Sequence, residues 1–255
     1  MEPVITVENL TMAYGDFVLQ QGLSFQVNRT DIFIIMGGSG CGKSTLLRHM
    51  IGLKRPAAGK VIYGNIDFWK ITDEERSKIL ANTGILYQSG ALWSSMTLEE
   101  NISLPLQQYS QLSKSMIKEV VEYKLSLVGL GGFESYYPAA LSGGMRKRAA
   151  LARAIALDPQ YLFFDEPSAG LDPISAKNLD ELIVEIRESL GATVIIVTHE
   201  LASIFDIATN SVFLDTEART MLAAGPPHDI LHESDNPKVI NFLTRGIGRK
   251  GAEKR

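Results

Sequence analysis

Apolar and polar positions alternate along residues 6–14 and 17–27, on either side of Gly15-Asp16. This predicts two strands joined by a tight hairpin, since glycine accepts positive φ. Residues 32–36, Ile-Phe-Ile-Ile-Met, form an unbroken apolar run, as in a strand buried on both faces. From Lys43 the period lengthens, and Leu46, Leu47, Met50 and Ile51 share one helical face. Val61, Tyr63 and Ile66 then bracket Gly64-Asn65, a second turn.

Residues 88–156 differ in character. Polar helical segments at 98–109 and 114–128 are interrupted by Pro105, Gly131-Gly132 and Pro138, which predicts a helical insertion between strands. Strand and helix alternate again afterwards: a strand at 161–164, a helix from Asp172 and a strand at 193–198. Asp172 is a good N-cap, and Pro173 suits the first helical position. Leu179, Leu182, Ile183, Ile186 and Leu190 line one face, and Gly191 stops the helix. Such repetition predicts an α/β fold with parallel strands. Residues 245–255 read as a basic, mobile tail.

Composition narrows the classes. The 255 residues carry 25 Lys+Arg against 29 Asp+Glu, a net charge of −4, and 45% are hydrophobic, which excludes disordered, collagen-like and coiled-coil chains. The mild acidity argues against nucleic acid as a partner. One cysteine, Cys41, excludes an internal disulfide framework and a Cys-rich zinc site. The first residues carry no signal-like stretch, and the longest apolar runs (32–36 and 194–197) are too short to span a bilayer. Membrane work would require another chain.

Gly37-Gly38-Ser39-Gly40-Cys41-Gly42-Lys43-Ser44 satisfies the phosphate-loop pattern between a strand and a helix. Its glycines let main-chain N–H groups approach an anion, and the helix start adds positive partial charge. Lys43 would reach the β- and γ-phosphates, and Ser44 would ligate Mg²⁺. Cys41 sits near that helix end, so a redox-active thiol and a small tolerated residue are both open readings. A second site is the apolar run 161–164 ending in Asp165 and Glu166, acids placed to hold Mg²⁺ and to polarise water. A third is Leu141-Ser142-Gly143-Gly144-Met145, where Ser142 caps a helix whose exposed N–H groups form another anion site. Arg146, Lys147, Arg148 and Arg153 on that helix read as a solvated face rather than a nucleic-acid surface.

These motifs, in this order, resemble an ATP-binding cassette (ABC) transporter ATPase over nearly the whole chain. The resemblance implies an α/β phosphate-loop NTPase with a mixed sheet core, an N-terminal antiparallel β subdomain and a helical insertion. The expected organisation is a cassette over residues 1–245. Its catalytic core comprises 1–87 and 157–225, its helical subdomain 88–156, and a C-terminal helical extension with the basic tail covers 226–255. Tyr14 resembles the residue that stacks on adenine, and residues 37–45, through Thr45, the Walker A loop. Gln88 resembles the Q-loop glutamine that senses Mg²⁺, residues 141–145 the LSGGQ signature, and 161–166 the Walker B strand with its catalytic glutamate. Residues 168–172 resemble the D-loop, and His199 the switch histidine. The resemblance thus implies ATP and Mg²⁺ as cofactors, Glu166 and His199 as catalytic, Ser44, Gln88 and Asp165 at the metal, and Asp172 coupling two sites. Two copies would close head-to-tail over ATP.

Met145 in place of the signature glutamine, the sequence Ser89-Gly90-Ala91-Leu92 after Gln88, the helix at 146–154 and residues 236–243 resemble the ATPases of Mla/Mce-type lipid transport systems. That implies phospholipid transport through a multispanning permease, with an Mce-type lipid-binding protein and a small regulatory subunit as further partners. The chain would sit peripherally on the cytoplasmic face of the inner membrane. A small-solute importer and a soluble non-transport cassette are the alternatives. Two departures from the family pattern are Thr30-Asp31, where a glycine-containing turn is usual, and Gly38, where proline is common. Leu92-Trp93-Ser94-Ser95-Met96 reads equally as a permease-docking surface and as internal packing.

Overall fold

The computed structural model describes residues 2–248. In chain order the elements are β1 (Pro3–Tyr14), β2 (Phe17–Asn28), β3 (Ile32–Gly37), α1 (Lys43–Met50), β4 (Ala58–Tyr63), β5 (Ile66–Asp67), α2 (Asp73–Ala81) and β6 (Thr83–Leu86). Next come α3 (Leu98–Tyr109), α4 (Lys114–Leu127), α5 (Gly143–Ala154), β7 (Tyr161–Asp165), α6 (Pro173–Leu190) and β8 (Thr193–Val197). The last are α7 (Leu201–Ile207), β9 (Asn210–Asp215), β10 (Thr220–Gly225), α8 (Pro227–Glu233) and α9 (Pro237–Leu243). The chain forms two compact units, and the divisions fall within α2 and β8.

The first unit comprises residues 2–76 and 195–248. Its antiparallel sheet has the order β2-β1-β4-β5, with the two-residue turn at Gly15-Asp16 closing on the pair Tyr14–Phe17. A second layer places β3 parallel to β9, with β10 antiparallel to β9, which makes a mixed sheet. Every residue of β3 is buried, as its unbroken apolar run requires. The turn into β3 is held by Asp31, whose carboxylate accepts from the Asn28 N–H (2.9 Å) and the Thr209 hydroxyl (2.9 Å).

The second unit, residues 77–194, carries β6 parallel to β7 with α3, α4 and α5 packed together. The predicted helices at 98–109 and 114–128 are α3 and α4. A capping box starts α3: the Glu100 N–H donates to Thr97 Oγ1 and the Thr97 N–H to Glu100 Oε2. Pro105 does not break this helix, contrary to the sequence expectation. Only the bond to the Asn101 carbonyl is forfeited, and burial of Leu98, Ile102 and Leu106 on one face outweighs it. Gly84 packs β6 tightly against α5, since a Cβ there would lie 2.1 Å from the Ala154 carbonyl oxygen. Helix α6 starts and stops where Asp172 and Gly191 predict, with Gly191 at φ 61°. Of the basic tail read at 245–255, residues 249–255 lie outside the described residues.

Candidate functional site

The phosphate loop belongs to the first unit. It leaves β3 at Gly37, whose neighbour is the Leu214 carbonyl of β9: a Cβ at Gly37 would lie 2.3 Å from that oxygen, so only glycine fits. At Gly38 and Gly40 an added Cβ would meet nothing within 4 Å, so the loop is open on that side. Gly42 (φ 99°) is the N-cap of α1 and offers no side-chain cap, which leaves the partial positive charge of the first turn on the phosphate-loop side. The Lys43 ammonium is buried against the loop and donates to the Gly37 and Gly38 carbonyls at 3.0 and 3.1 Å. Cys41 is fully buried, and burial pushes its thiol pKa up against the pull of Lys43. This favours the packing reading over a redox one.

Tyr14, at the end of β1, shares a 3.3 Å hydrogen bond with the Thr45 hydroxyl, which lowers its phenol pKa. The Lys54 ammonium lies 2.9 Å from its ring centroid and donates to the Ala13 carbonyl. Half of Tyr14 is exposed. His199 follows β8 in this same unit with an exposed side chain, 3.9 Å from the Glu200 carboxylate.

The second unit holds the remaining sequence-predicted residues. Ser142 caps α5 by accepting from the Met145 N–H at 3.2 Å. Ser142, Gly143, Gly144, Met145, Gly170 and Asp172 line one cleft of about 540 Å³, so these residues from two loops come together. Asp172 accepts from the Ile174 and Ser175 N–H groups (3.1 and 3.0 Å), and its contacts with Ser175 lead in lowering its pKa. Asp165 ends β7, and Glu166 follows with φ 50°, in the left-handed region where a side chain is strained. Both acids are buried.

The solvated-face reading of α5 holds for the exposed Arg146 and fails for Lys147, while Arg148 and Arg153 are half-buried. Lys147 is buried and donates to the main-chain carbonyls of Gln88 and Glu166. Burial lowers its pKa, with the Glu166 and Asp165 carboxylates opposing. Arg153 donates to the Ala91 and Gly90 carbonyls (2.8 and 3.1 Å), Arg148 to those of Val128 and Gly129, and Arg146 to that of Leu141. The carbonyls of irregular loops need donors, and the α5 cations reach them. The pattern held a signal: Lys147 lies three and four residues before Ala150 and Leu151, on the buried stripe. Asn101 also escaped the sequence reading. Fully buried, it accepts from the Trp93 N–H (2.8 Å) and donates to the Trp93, Met96 and Thr97 carbonyls.

Comparison with known proteins is decisive once these loops are in place: residues 20–169 match the ABC transporter family. The chain belongs to that family. It is an ABC ATPase, and its relatives cover nearly all of it. The Mycobacterium tuberculosis "Probable ribonucleotide transport ATP-binding protein mkl" is 38% identical over 97% of this chain and 68% of its own length. The Haemophilus influenzae "Intermembrane phospholipid transport system ATP-binding protein MlaF" is 37% identical over 94% of this chain and 90% of its own. Among solved structures, the Clostridium perfringens cbiO1 protein, part of the ABC transporter complex cbiONQ, superposes with TM-score 0.83. It is 26% identical and covers 100% of this chain and 99% of its own. A dimeric ATP-binding cassette in a post-hydrolysis state bound to ADP and Pi gives TM-score 0.78 at 27% identity, covering 86% of this chain and 97% of its own.

The departures from the family pattern at Thr30-Asp31 and Met145 have local explanations. Thr30 adopts φ 60° where a glycine would do so without strain, and the buried Asp31 network braces that turn. Met145 keeps its main-chain N–H on Ser142. Among the described residues, no group of three His, Cys, Asp or Glu side chains could hold a metal ion. The oxygen donors named for Mg²⁺ (a hydroxyl on Ser44, an amide on Gln88, a carboxylate on Asp165) are of the hard type that ion takes.

Proposed function

We propose that this chain is the ATP-hydrolysing motor subunit of a transporter that moves phospholipid between membranes of the cell envelope. The observation that carries the reading is relatives 34–37% identical over 94% of the chain that bear the name of an intermembrane phospholipid transport ATPase. No helix among the described residues is long and apolar enough to cross a membrane, so a multispanning permease would supply the path. The cassette would bind peripherally on the cytoplasmic face, with an Mce-type lipid-binding protein and a small regulatory subunit completing the assembly.

In this reading two copies close head-to-tail, each ATP lying between the Lys43 loop of one and the Ser142 helix of the other. Lys43 and the α1 N-terminus offset phosphate charge, and Tyr14 stacks on the base through its exposed face. The Ser142 helix offers a second set of N–H donors from across the interface. Ser44, Asp165 and Gln88 would hold Mg²⁺, which would supply positive charge against the phosphates. Glu166 takes the proton of the attacking water, and His199 steadies the γ-phosphate. Asp172 links the two sites through the turn it caps. The Gln88 loop, stitched to α5 by Lys147 and Arg153, passes the nucleotide state to the permease, with Trp93, 60% exposed, as the docking contact.

A second reading, transport of ribonucleotide or another small solute, draws on the 38% identical relatives that carry a ribonucleotide transport name. Purification of the tagged chain from native membranes in mild detergent, with mass spectrometry of proteins and lipids, separates the two. A permease with an Mce-type protein and bound phospholipid supports the first reading. A permease with a solute-binding protein and no lipid would transfer the motor to the second.

A further inference from the structure

Gln20 is a polar residue in a place where β2 otherwise buries apolar side chains. It is 0% exposed, and its carboxamide nitrogen donates to two main-chain carbonyls at once: that of Cys41 in the phosphate loop (2.8 Å) and that of Asp215 at the end of β9 (2.9 Å). The orientation of the amide is dictated by these partners, because an oxygen in the same place would face two carbonyl lone pairs. The cost is visible on the other side, where the buried Gln20 Oε1 has no hydrogen-bond partner among the described residues.

The anchor that Gln20 reaches is itself fixed. Leu214, beside Asp215, presses its carbonyl against Gly37 at the other end of the loop. The Asp215 carboxylate accepts from the Ala218 N–H (2.7 Å) and from the Lys238 ammonium of α9 (2.8 Å). Lys238 also reaches Glu217 at 2.6 Å. Resting on the phosphate-loop reading above, we infer that Gln20 is a positioning residue for nucleotide: it locks the Cys41 turn to the end of β9. Lys238 braces that end, so the C-terminal helix α9 takes part in holding the loop. A loop released at Cys41 loses the convergence of its N–H groups on the β- and γ-phosphates, and ATP affinity falls with it.

The test uses the full-length chain and three variants: Gln20→Met, which keeps the volume and removes the donor, Lys238→Met and Lys43→Ala. The readouts are ATP affinity by calorimetry with Mg²⁺, the KM and kcat of hydrolysis, and amide hydrogen exchange in nucleotide-free protein. Gln20→Met is expected to weaken ATP binding and raise KM about tenfold with kcat within about threefold. Residues 37–43 should exchange faster while β1 and β4 keep their protection. Lys238→Met, on the surface and therefore tolerant of folding, is expected to raise KM about two- to threefold. If Gln20→Met fails to fold, the Lys238→Met result decides. Unchanged KM and loop exchange in the variants that fold, with Lys43→Ala unable to bind ATP, would overturn the Gln20 role alone. Wild-type ATP binding by Lys43→Ala would overturn the phosphate-loop reading and this proposal with it.

Discussion

The Lys147 ammonium lies 3.3 Å from the main-chain carbonyl oxygen of Glu166, and it donates to the Gln88 carbonyl as well. One buried cation on α5 therefore holds both the loop that follows β6 and the strained residue that follows β7. Lys147→Met would remove the donor to the Gln88 carbonyl and leave the Glu166 carbonyl with the Ala169 N–H, at a stability cost of about 1–3 kcal/mol. Because the affected residues are proposed to act on water and Mg²⁺, kcat per folded molecule should fall about tenfold with ATP affinity within threefold. Urea denaturation and steady-state kinetics on the same preparation check this. An unchanged kcat would reduce Lys147 to a purely structural contact.

Trp93 is presented to solvent while its backbone is pinned from below by Asn101. A docking role predicts that Trp93→Ala keeps the melting temperature of the free cassette yet loses permease-stimulated hydrolysis. Asn101→Leu, by contrast, should loosen the 89–96 segment and raise its cleavage by protease. If Trp93→Ala lowers stability in proportion to lost assembly, the side chain is packing rather than docking.

The elements legible in the sequence are those whose pattern and position coincide. The Gly15-Asp16 hairpin, the buried β3 run, the α6 helix between Asp172 and Gly191 and the phosphate loop each combine a period with a cap or turn residue. Helix α2 was not legible, because none of its residues is buried and it has no apolar face to count. Its start is marked instead by Asp73, Glu74 and Glu75, acids that favour a helix N-terminus. The roles of Lys147, Arg153 and Asn101 were hidden for another reason. Each satisfies loop main-chain carbonyls, distant in sequence for Lys147 and Arg153 and just upstream for Asn101, and residue type alone does not disclose which carbonyls lack donors. Gln20 is hidden in the same way.

His49, fully buried on α1, makes a 2.6 Å hydrogen bond through Nδ1 to the Lys54 carbonyl. Burial lowers its pKa below the ordinary value of 6.5, outweighing that bond. The unfolded chain takes up this proton near its ordinary pKa, whereas the folded chain resists it to lower pH. Stability contributed by neutral His49 is therefore lost as pH falls below about 6.5. The denaturation midpoint of the wild type should drop more steeply than that of His49→Gln between about pH 7.5 and 5.5. Parallel profiles would show that another group governs the acid limb.

The central claim is that paired copies of this cassette hydrolyse ATP with Glu166 as the base. The most direct measurement is nucleotide retention and turnover by Glu166→Gln in the presence of Mg²⁺ and ATP. Glu166→Gln is expected to bind ATP as the wild type does, to elute as a dimer with ATP held inside, and to turn over at least about a hundredfold more slowly. Steady-state hydrolysis by Glu166→Gln at the wild-type rate would contradict it.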